Sequence, residues 1–322
     1  MNWSLGKNGN GSSFAGGRSR FVLPAVVFEI EPGFVVGAHL DVGGRSVRRI
    51  STRALEPQTL NPTPSGTNIV NVEQFRRAVQ GVSDVLGNGS GRLGLLVPDA
   101  SVRVAILIFD ALEEESKEAD ALVRWRMKEI LPYPPEEARL SCQILWRDPS
   151  NVGVVAVAAR TSLLAEFHGA LGLGNRGPEL ILPSTLALMP LLSEKEGDGQ
   201  MLVHVCSGWV TTVVASGARI LSWRNKELNG AAPEESMQEV VAEVARVLAS
   251  SHDHLQVVVN RVLLCARPPA WPELAGDLSR VIGKDVEWLA PRPGPSSKLS
   301  AAETAAFDAV GAPIAGLIGN FG

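Results

Sequence analysis

Tyrosine is nearly missing from this chain and cysteine is scarce: one Tyr and three Cys stand among 322 residues. Three thiols (Cys142, Cys206, Cys265) cannot all pair, and none has CxxC or Cys/His ligand spacing. Each sits in an apolar run, so a disulfide framework and a zinc module are excluded and buried thiols in a reducing compartment are expected. No stretch reaches the ~18–20 uninterrupted apolar residues of a membrane span. No basic stripe is present either: the net charge is −4 and Lys and Arg are scattered, which gives nucleic acid no field to follow. The first twenty residues, MNWSLGKNGNGSSFAGGRSR, have no apolar h-region and read as a disordered leader, not a signal peptide. Common catalytic signatures are missing too. Ser207-Gly208 lacks the GxSxG elbow, GNGSGRLG (87–94) lacks the Lys-Ser/Thr of a P-loop, and His252-Asp253-His254 reads as a solvated loop. A cytoplasmic protein is the expectation.

What is present is an ordinary globular composition, 45% apolar and 20% charged, on a chain long enough for two core-bearing units. FVLPAVVFEI and FVVGAHLDV read as strands joined by the turn Glu31-Pro32-Gly33, and RSVRRISTRAL as a third strand entered through Gly43-Gly44. A Pro/Asn/Thr-rich loop (56–68) precedes NVEQFRRAVQGVSDVL, whose Val72, Phe75, Ala78/Val79, Val82 and Leu86 share one helical face. With the strand GRLGLLVP this makes a βββαβ opening. The next segment is a small β-α-β-β-α insert: SVRVAILIF, then EEESKEADALVRWRMKEIL with acids in its first turn, then ARLSCQILW, VGVVAVAAR and SLLAEFHGALGL. Its first helix is stopped by Pro132-Tyr133-Pro134-Pro135.

LILPSTLALMPLL leads into the charged linker SEKEGDGQ, and a second half opens on the hairpin LVHVCSGWVTTVVASGARIL. A helix (ESMQEVVAEVARVLASS), the buried strand QVVVNRVLLCA, the helix WPELAGDLSRVIG and the strand VEWLA follow. A Pro/Gly/Ser loop and one Ala-rich helix, AAETAAFDAVGAPIAGLIG, complete the chain. No internal sequence repeat is visible.

The insert carries a resemblance. VRVAILIFDALEEESKEADALVRWRMKEILPYPPEEARLSCQIL followed by VGVVAVAARTSLLAEF resembles the inserted subdomain of the PilM family, actin-like cytoplasmic proteins of type IV pilus assembly. The residues that match are Trp125, Pro132-Tyr133-Pro134 and Gln143, and the terminal GAPIAGLIG (311–319) is similar to the family's closing helix. The resemblance covers roughly residues 21–322. It implies an α/β, actin-like (ribonuclease H-like) two-lobed fold with a small β-α-β-β-α insert in the first lobe. The boundaries that follow are a leader (1–20), a first lobe (21–98), the insert (99–178) and a return helix with linker (179–200). A second lobe (201–292) and a C-terminal loop and helix (293–322) complete the chain.

That fold implies ATP and Mg²⁺ as ligands, held by an acid at the end of the first strand of each half and by bare backbone at Gly turns. Here the second half has His204-Val205-Cys206, then Ser207-Gly208, where the pattern would be Asp-x-Gly. Imidazole does not supply the anionic oxygen Mg²⁺ prefers, and a lone His on an apolar strand is more often a core residue than a ligand. In the first half two registers compete: Glu29-Ile30-Glu31, and Asp41 with Gly43, Gly44, Ser46 and Arg48. The strand count favours the first, which makes Asp41–Gly44 a turn. The adenine-side turn reads Cys265-Ala266-Arg267-Pro268-Pro269 instead of Gly-Gly, and Gly311 closes the set of degenerate cleft positions. Damage at three sites disfavours ATP and Mg²⁺ and points to a pseudo-ATPase, with no catalytic or metal residue assigned.

The resemblance then implies a structural adaptor, peripheral at the inner membrane. Its partner would be a PilN-like membrane protein, bound through a short N-terminal peptide in a groove between the first half and the insert. Trp125 and Tyr133 are the partner-binding candidates, although plain helix packing is the better account of Trp125. The alternative is an ATP-binding or weakly hydrolysing actin-like ATPase or kinase, in which Glu29 or Asp41 supplies an acid.

Overall fold

The computed structural model describes residues 13–14 (backbone), 23–41, 43, 45–87, 92–113, 116–172, 177–192, 195, 197, 199–230, 232–267 and 271–319. Gly44, Gly174, Pro268 and Pro269 lie outside them, as does the leader except Ser13–Phe14. The chain divides into two compact units, Met1–Pro190 with Pro291–Gly322, and Leu191–Ala290.

In the first unit the order is β1 (Ser13–Phe14), β2 (Val26–Glu31), β3 (Phe34–Leu40), β4 (Val47–Ala54), α1 (Val72–Leu86) and β5 (Leu93–Val97). The insert follows: β6 (Arg103–Phe109), α2 (Lys117–Met127), β7 (Ala138–Arg147), β8 (Val152–Arg160) and α3 (Thr161–Leu171). The chain then returns through β9 (Leu180–Pro183) and α4 (Ser184–Leu188). The second unit holds β10 (Gly199–Cys206), β11 (Trp209–Ser216), β12 (Arg219–Glu227), α5 (Pro233–Asp253), β13 (Val259–Ala266), α6 (Leu274–Ile282) and β14 (Val286–Trp288). Finally α7 (Ala301–Val310) and α8 (Ala312–Gly319) rejoin the first unit.

Each unit is built on one five-stranded sheet. The first runs β4-β3-β2-β5-β9 and the second β12-β11-β10-β13-β14. In both, a double hairpin of antiparallel strands continues into parallel strands. The parallel strands need helical crossovers, and amphipathic spacing supplies them. On α1, Phe75, Ala78, Val79, Val82 and Leu86 are buried against β3 and β4, and Asn71 caps the start by accepting from the Gln74 N–H at 3.0 Å. Val72, expected on the same face, is exposed at the helix start. Gly37 lets α1 approach β3: a Cβ there would stand 2.5 Å from Val82 Cγ1 and 2.8 Å from Leu86 Cδ1. Burial of an aromatic such as Phe75 contributes about 1.5–3 kcal/mol. In the second unit Val240, Val244 and Val247 of α5, with Leu274 and Leu278 of α6, cover Met201, Val203, Val205, Val262 and Leu264.

The insert is a four-stranded sheet, β1-β7-β8-β6, with α2 on one face. Ala119, Val123 and Met127 of α2 pack on Leu107, Leu140, Cys142, Val154 and Ala156. Gly153 admits the Trp146 indole across the strand pair, since a Cβ there would lie 2.1 Å from its ring.

Three expectations are corrected. Ser13–Phe14, assigned to a disordered leader, form a short parallel strand on β7 opposite Ser141 and Cys142. The segment 179–200 begins with a strand, β9, parallel to β5, and its helix is a single short one. Leu180–Leu182 are apolar and β-compatible, and periodicity over four residues cannot separate strand from helix. The C-terminal helix is two helices bent by 85° at Gly311. Pro313 has no N–H and its ring meets the carbonyl four residues back, so α7 cannot continue through it. Among the described residues no single helix is long and apolar enough to cross a membrane. The bent pair passes on composition only, and α8 is buried from Ala312 to Ile318, packed on α4.

Candidate functional site

Three places hold most of the residues singled out in the sequence. The first is the C-terminal end of β2. Glu29 and Glu31 are 0% and 2% exposed. The Ser184 hydroxyl donates to Glu31 Oε1 at 2.8 Å and lies 3.2 Å from the Val97 carbonyl. Asp99, which follows β5, accepts from the Thr185 N–H at 3.0 Å and from the Thr185 hydroxyl. Both acids therefore hold the first turn of α4, where carboxylates complement free N–H groups. The Ser184–Glu31 bond spans 153 residues, and no local pattern in the sequence announces it.

Asp41, the other first-half candidate, is in the β3–β4 turn. Its Oδ1 accepts from the Arg45 N–H at 2.8 Å, and its own N–H donates to the Ser46 carbonyl at 3.0 Å. Gly43 lies in the same turn, Ser46 is buried with its Oγ accepting from the Ser296 N–H at 2.9 Å, and Arg48 is exposed.

The second place is the end of β10 and β13. His204 pairs with Cys265 and Val205 with Ala266 in the parallel register, and the Arg267 N–H continues the ladder to the Val205 carbonyl at 3.1 Å. Alternation puts His204, Cys206, Cys265 and Arg267 on one face of the sheet, opposite the face covered by α5 and α6. His204 and Arg267 are each 2% exposed. Arg267 Nε donates to His204 Nε2 at 3.1 Å, which requires an unprotonated Nε2 and puts the ring proton on Nδ1. Cys206 Sγ lies 3.2 Å from the same Nε2, and Arg267 Nη2 donates to it at 3.4 Å. Ser207–Gly208 form the hairpin turn, with Gly208 at φ +78° and open space where a Cβ would stand. Arg267 is the residue whose role the sequence hid: it reads as part of a Pro-rich turn.

Gly311 stands at the junction of α7 and α8. A Cβ on it would meet the Phe307 ring at 2.4 Å and the Phe307 carbonyl at 2.7 Å, so it serves the sharp turn between α7 and α8. Among the described residues no group of three or more His, Cys, Asp or Glu is placed to hold a metal ion.

The third place is the seam between the insert and the loop before α1. Asn68 organises that loop: its Nδ2 donates to the Thr63 and Gly66 carbonyls at 2.8 and 3.2 Å, and its Oδ1 accepts from Ser101 Oγ at 2.6 Å. Glu166 of α3 takes the Asn68 and Ile69 N–H groups at 3.0 and 2.6 Å. Arg160, at the end of β8, donates to the Ser65 carbonyl at 2.6 Å and pairs with Glu137 at 2.7 Å. Its guanidinium also lies 6.0 Å from the Tyr133 ring centroid. Tyr133 is 8% exposed, and its hydroxyl is buried with no hydrogen-bond partner among the described residues. Burial pushes that hydroxyl up to about 12, against the opposing pull of Arg103 and Arg160, so it stays a neutral donor at pH 7. The same burial lowers Arg103, an effect Tyr133 opposes. Trp125, expected to pack within the insert, is 60% exposed. It lies between Val123 and Met127, both of which point into the core, so the helical period turns it outward. Ile108, Leu122 and Ile130 of the insert are exposed as well.

No family model matches the chain, and no curated protein does. Solved structures do. A chain of the PilM-PilN type IV pilus biogenesis complex aligns with 92% of this chain and 98% of its own length, at a TM-score of 0.74 and 17% identity. A Bacteroides thetaiotaomicron protein of actin-like ATPase fold and unknown function aligns over 83% of this chain and 91% of its own, at a TM-score of 0.50 and 11% identity. At these identities the likeness is one of fold. The protein has the actin-like ATPase fold, built over nearly its whole length like that pilus-complex chain.

Proposed function

We propose that this protein is a peptide-binding adaptor of a type IV pilus or related secretion assembly, cytoplasmic and peripheral at the inner membrane. Its partner is a PilN-like membrane protein that presents a short cytoplasmic N-terminal segment. The observation that carries the reading is the Tyr133 hydroxyl, more than nine-tenths buried beside Arg103 and Arg160 and without an acceptor among the described residues. A buried donor left unpaired costs about 1–3 kcal/mol, and a carbonyl of an extended peptide laid in the seam would satisfy it. The exposed Trp125, Leu122, Ile108 and Ile130 offer apolar anchorage on the same insert.

The reading also takes the protein to be a pseudo-ATPase. The residues present do not fit Mg²⁺ and a triphosphate. The His204 Nε2 lone pair is engaged by a fixed guanidinium, which repels a cation, and Glu31 and Asp99 anchor α4.

The test is anisotropy of a labelled N-terminal peptide from the PilN-like protein. The parent should saturate, and Tyr133→Phe should bind about threefold to tenfold more weakly, the loss of one hydrogen bond. Equal binding by parent and variant would refute the site, and no binding by the parent would refute the partner.

A further inference from the structure

We propose that Cys206 is a site of covalent modification: its thiolate, held by Arg267, reacts with hydroperoxides and other soft electrophiles while Cys142 and Cys265 do not. The inference stands on the second unit alone and does not depend on the peptide reading.

Three features of the cluster favour reaction at Cys206. Arg267 brings a permanent positive charge to 3.4 Å from Sγ, with an N–H aimed at it. A cation beside a thiol favours ionisation, and the effect is larger where water is excluded, as it is around an arginine this buried. The His204 Nε2, which accepts from the Arg267 Nε at 3.1 Å, fixes the guanidinium whose Nη2 faces the sulfur. Cys206 is half-buried, directly before the turn whose Gly208 is exposed, so a small reagent has an approach that fully buried thiols lack.

The other two thiols differ in kind. Cys142 is buried under α2, and burial with the nearby Asp120 pushes it up to about 12 despite Arg124, which keeps it protonated and inert. Cys265 is buried beside His204 in the strand register.

In the oxidative reaction the Cys206 sulfur attacks the distal oxygen of a hydroperoxide. A sulfur–oxygen bond forms as the oxygen–oxygen bond breaks. Sulfur gives up two electrons and becomes a sulfenic acid, and the leaving oxyanion takes a proton from water. Alkylation by iodoacetamide follows the same attack at carbon, with iodide leaving. Either product neutralises the thiolate that Arg267 holds.

The experiment is site-resolved mass spectrometry of the full chain at pH 7 during timed exposure to iodoacetamide, once folded and once unfolded in urea. Burial alone slows a thiol on folding, so the diagnostic is acceleration. Cys206 should react about tenfold faster in the folded chain than in the unfolded one, with Cys142 and Cys265 slower folded than unfolded. Arg267→Gln should remove the acceleration. If that variant does not fold, the folded-against-unfolded comparison of the parent decides alone. Hydrogen peroxide followed by dimedone should tag Cys206. Slower alkylation of Cys206 on folding, or a dimedone tag on another cysteine or on none, would overturn the proposal.

Discussion

At the end of β2 stand Glu29 and Glu31, and at the matching end of β10 stand His204 and Cys206. The match is geometric. Both strands open their sheet's double hairpin, both are flanked by an antiparallel and a parallel neighbour, and both end two residues before the next strand begins. Glu31 pairs with Phe34 across a turn whose Gly33 has φ +101°, and Cys206 pairs with Trp209 across a turn whose Gly208 has φ +78°. One plan thus carries two chemistries. In the first unit buried carboxylates hold a helix start across the sheet; in the second a thiol and an imidazole face a guanidinium. The shared architecture comes from apolar alternation and turns, which do not specify what stands at a strand's end.

The comparison makes the first unit's strand end structural and the second's dispensable for folding. The largest expected effect comes from the helix that the first cluster supports. A Cβ at Gly316 would stand 1.9 Å from the Ala187 carbonyl, so Gly316→Val should force α8 off α4 and cost about 3 kcal/mol, read as a fall in the urea midpoint. Next come the matched positions. Glu31→Ala should cost about 2–3 kcal/mol by removing the acceptor for Ser184, whereas Cys206→Ala should cost about 1 kcal/mol or less in the same urea titration. Equal costs would erase the distinction between the two ends.

A pH-dependent effect concerns the thiols. The folded state keeps the Cys142 proton up to about 12, while the unfolded chain loses it near the ordinary value of 9. The unfolded state therefore binds fewer protons in that window, and stability falls as pH rises from about 9 to about 12. Cys142→Ala removes this term, so between pH 9 and 11 the variant should lose less stability than the parent in parallel denaturant titrations. Identical slopes would contradict the assignment.

Much of this was legible in the chain. The three opening strands, the α1 face and the β-α-β-β-α insert follow from alternation, helical spacing and the Pro132–Pro135 stop, all local signals. What was not legible is long-range. Nothing local announces that Ser184 reaches Glu31, that Arg267 closes on His204 across 63 residues, or that Tyr133 is buried beside Arg103 and Arg160. Trp125 was misjudged because an aromatic on an insert helix is usually core, and only the register of Val123 and Met127 turns it outward. The bend at Gly311 was readable from Pro313 but was overridden by an apolar, Ala-rich run that looks continuous.

In the adaptor proposed above, the fold persists without the chemistry its neighbours in shape are named for. Calorimetric titration of the full chain with a non-hydrolysable ATP analogue and Mg²⁺ tests it most directly. The account predicts no saturable heat at micromolar to millimolar ligand, and a saturating isotherm with one site per chain would contradict it.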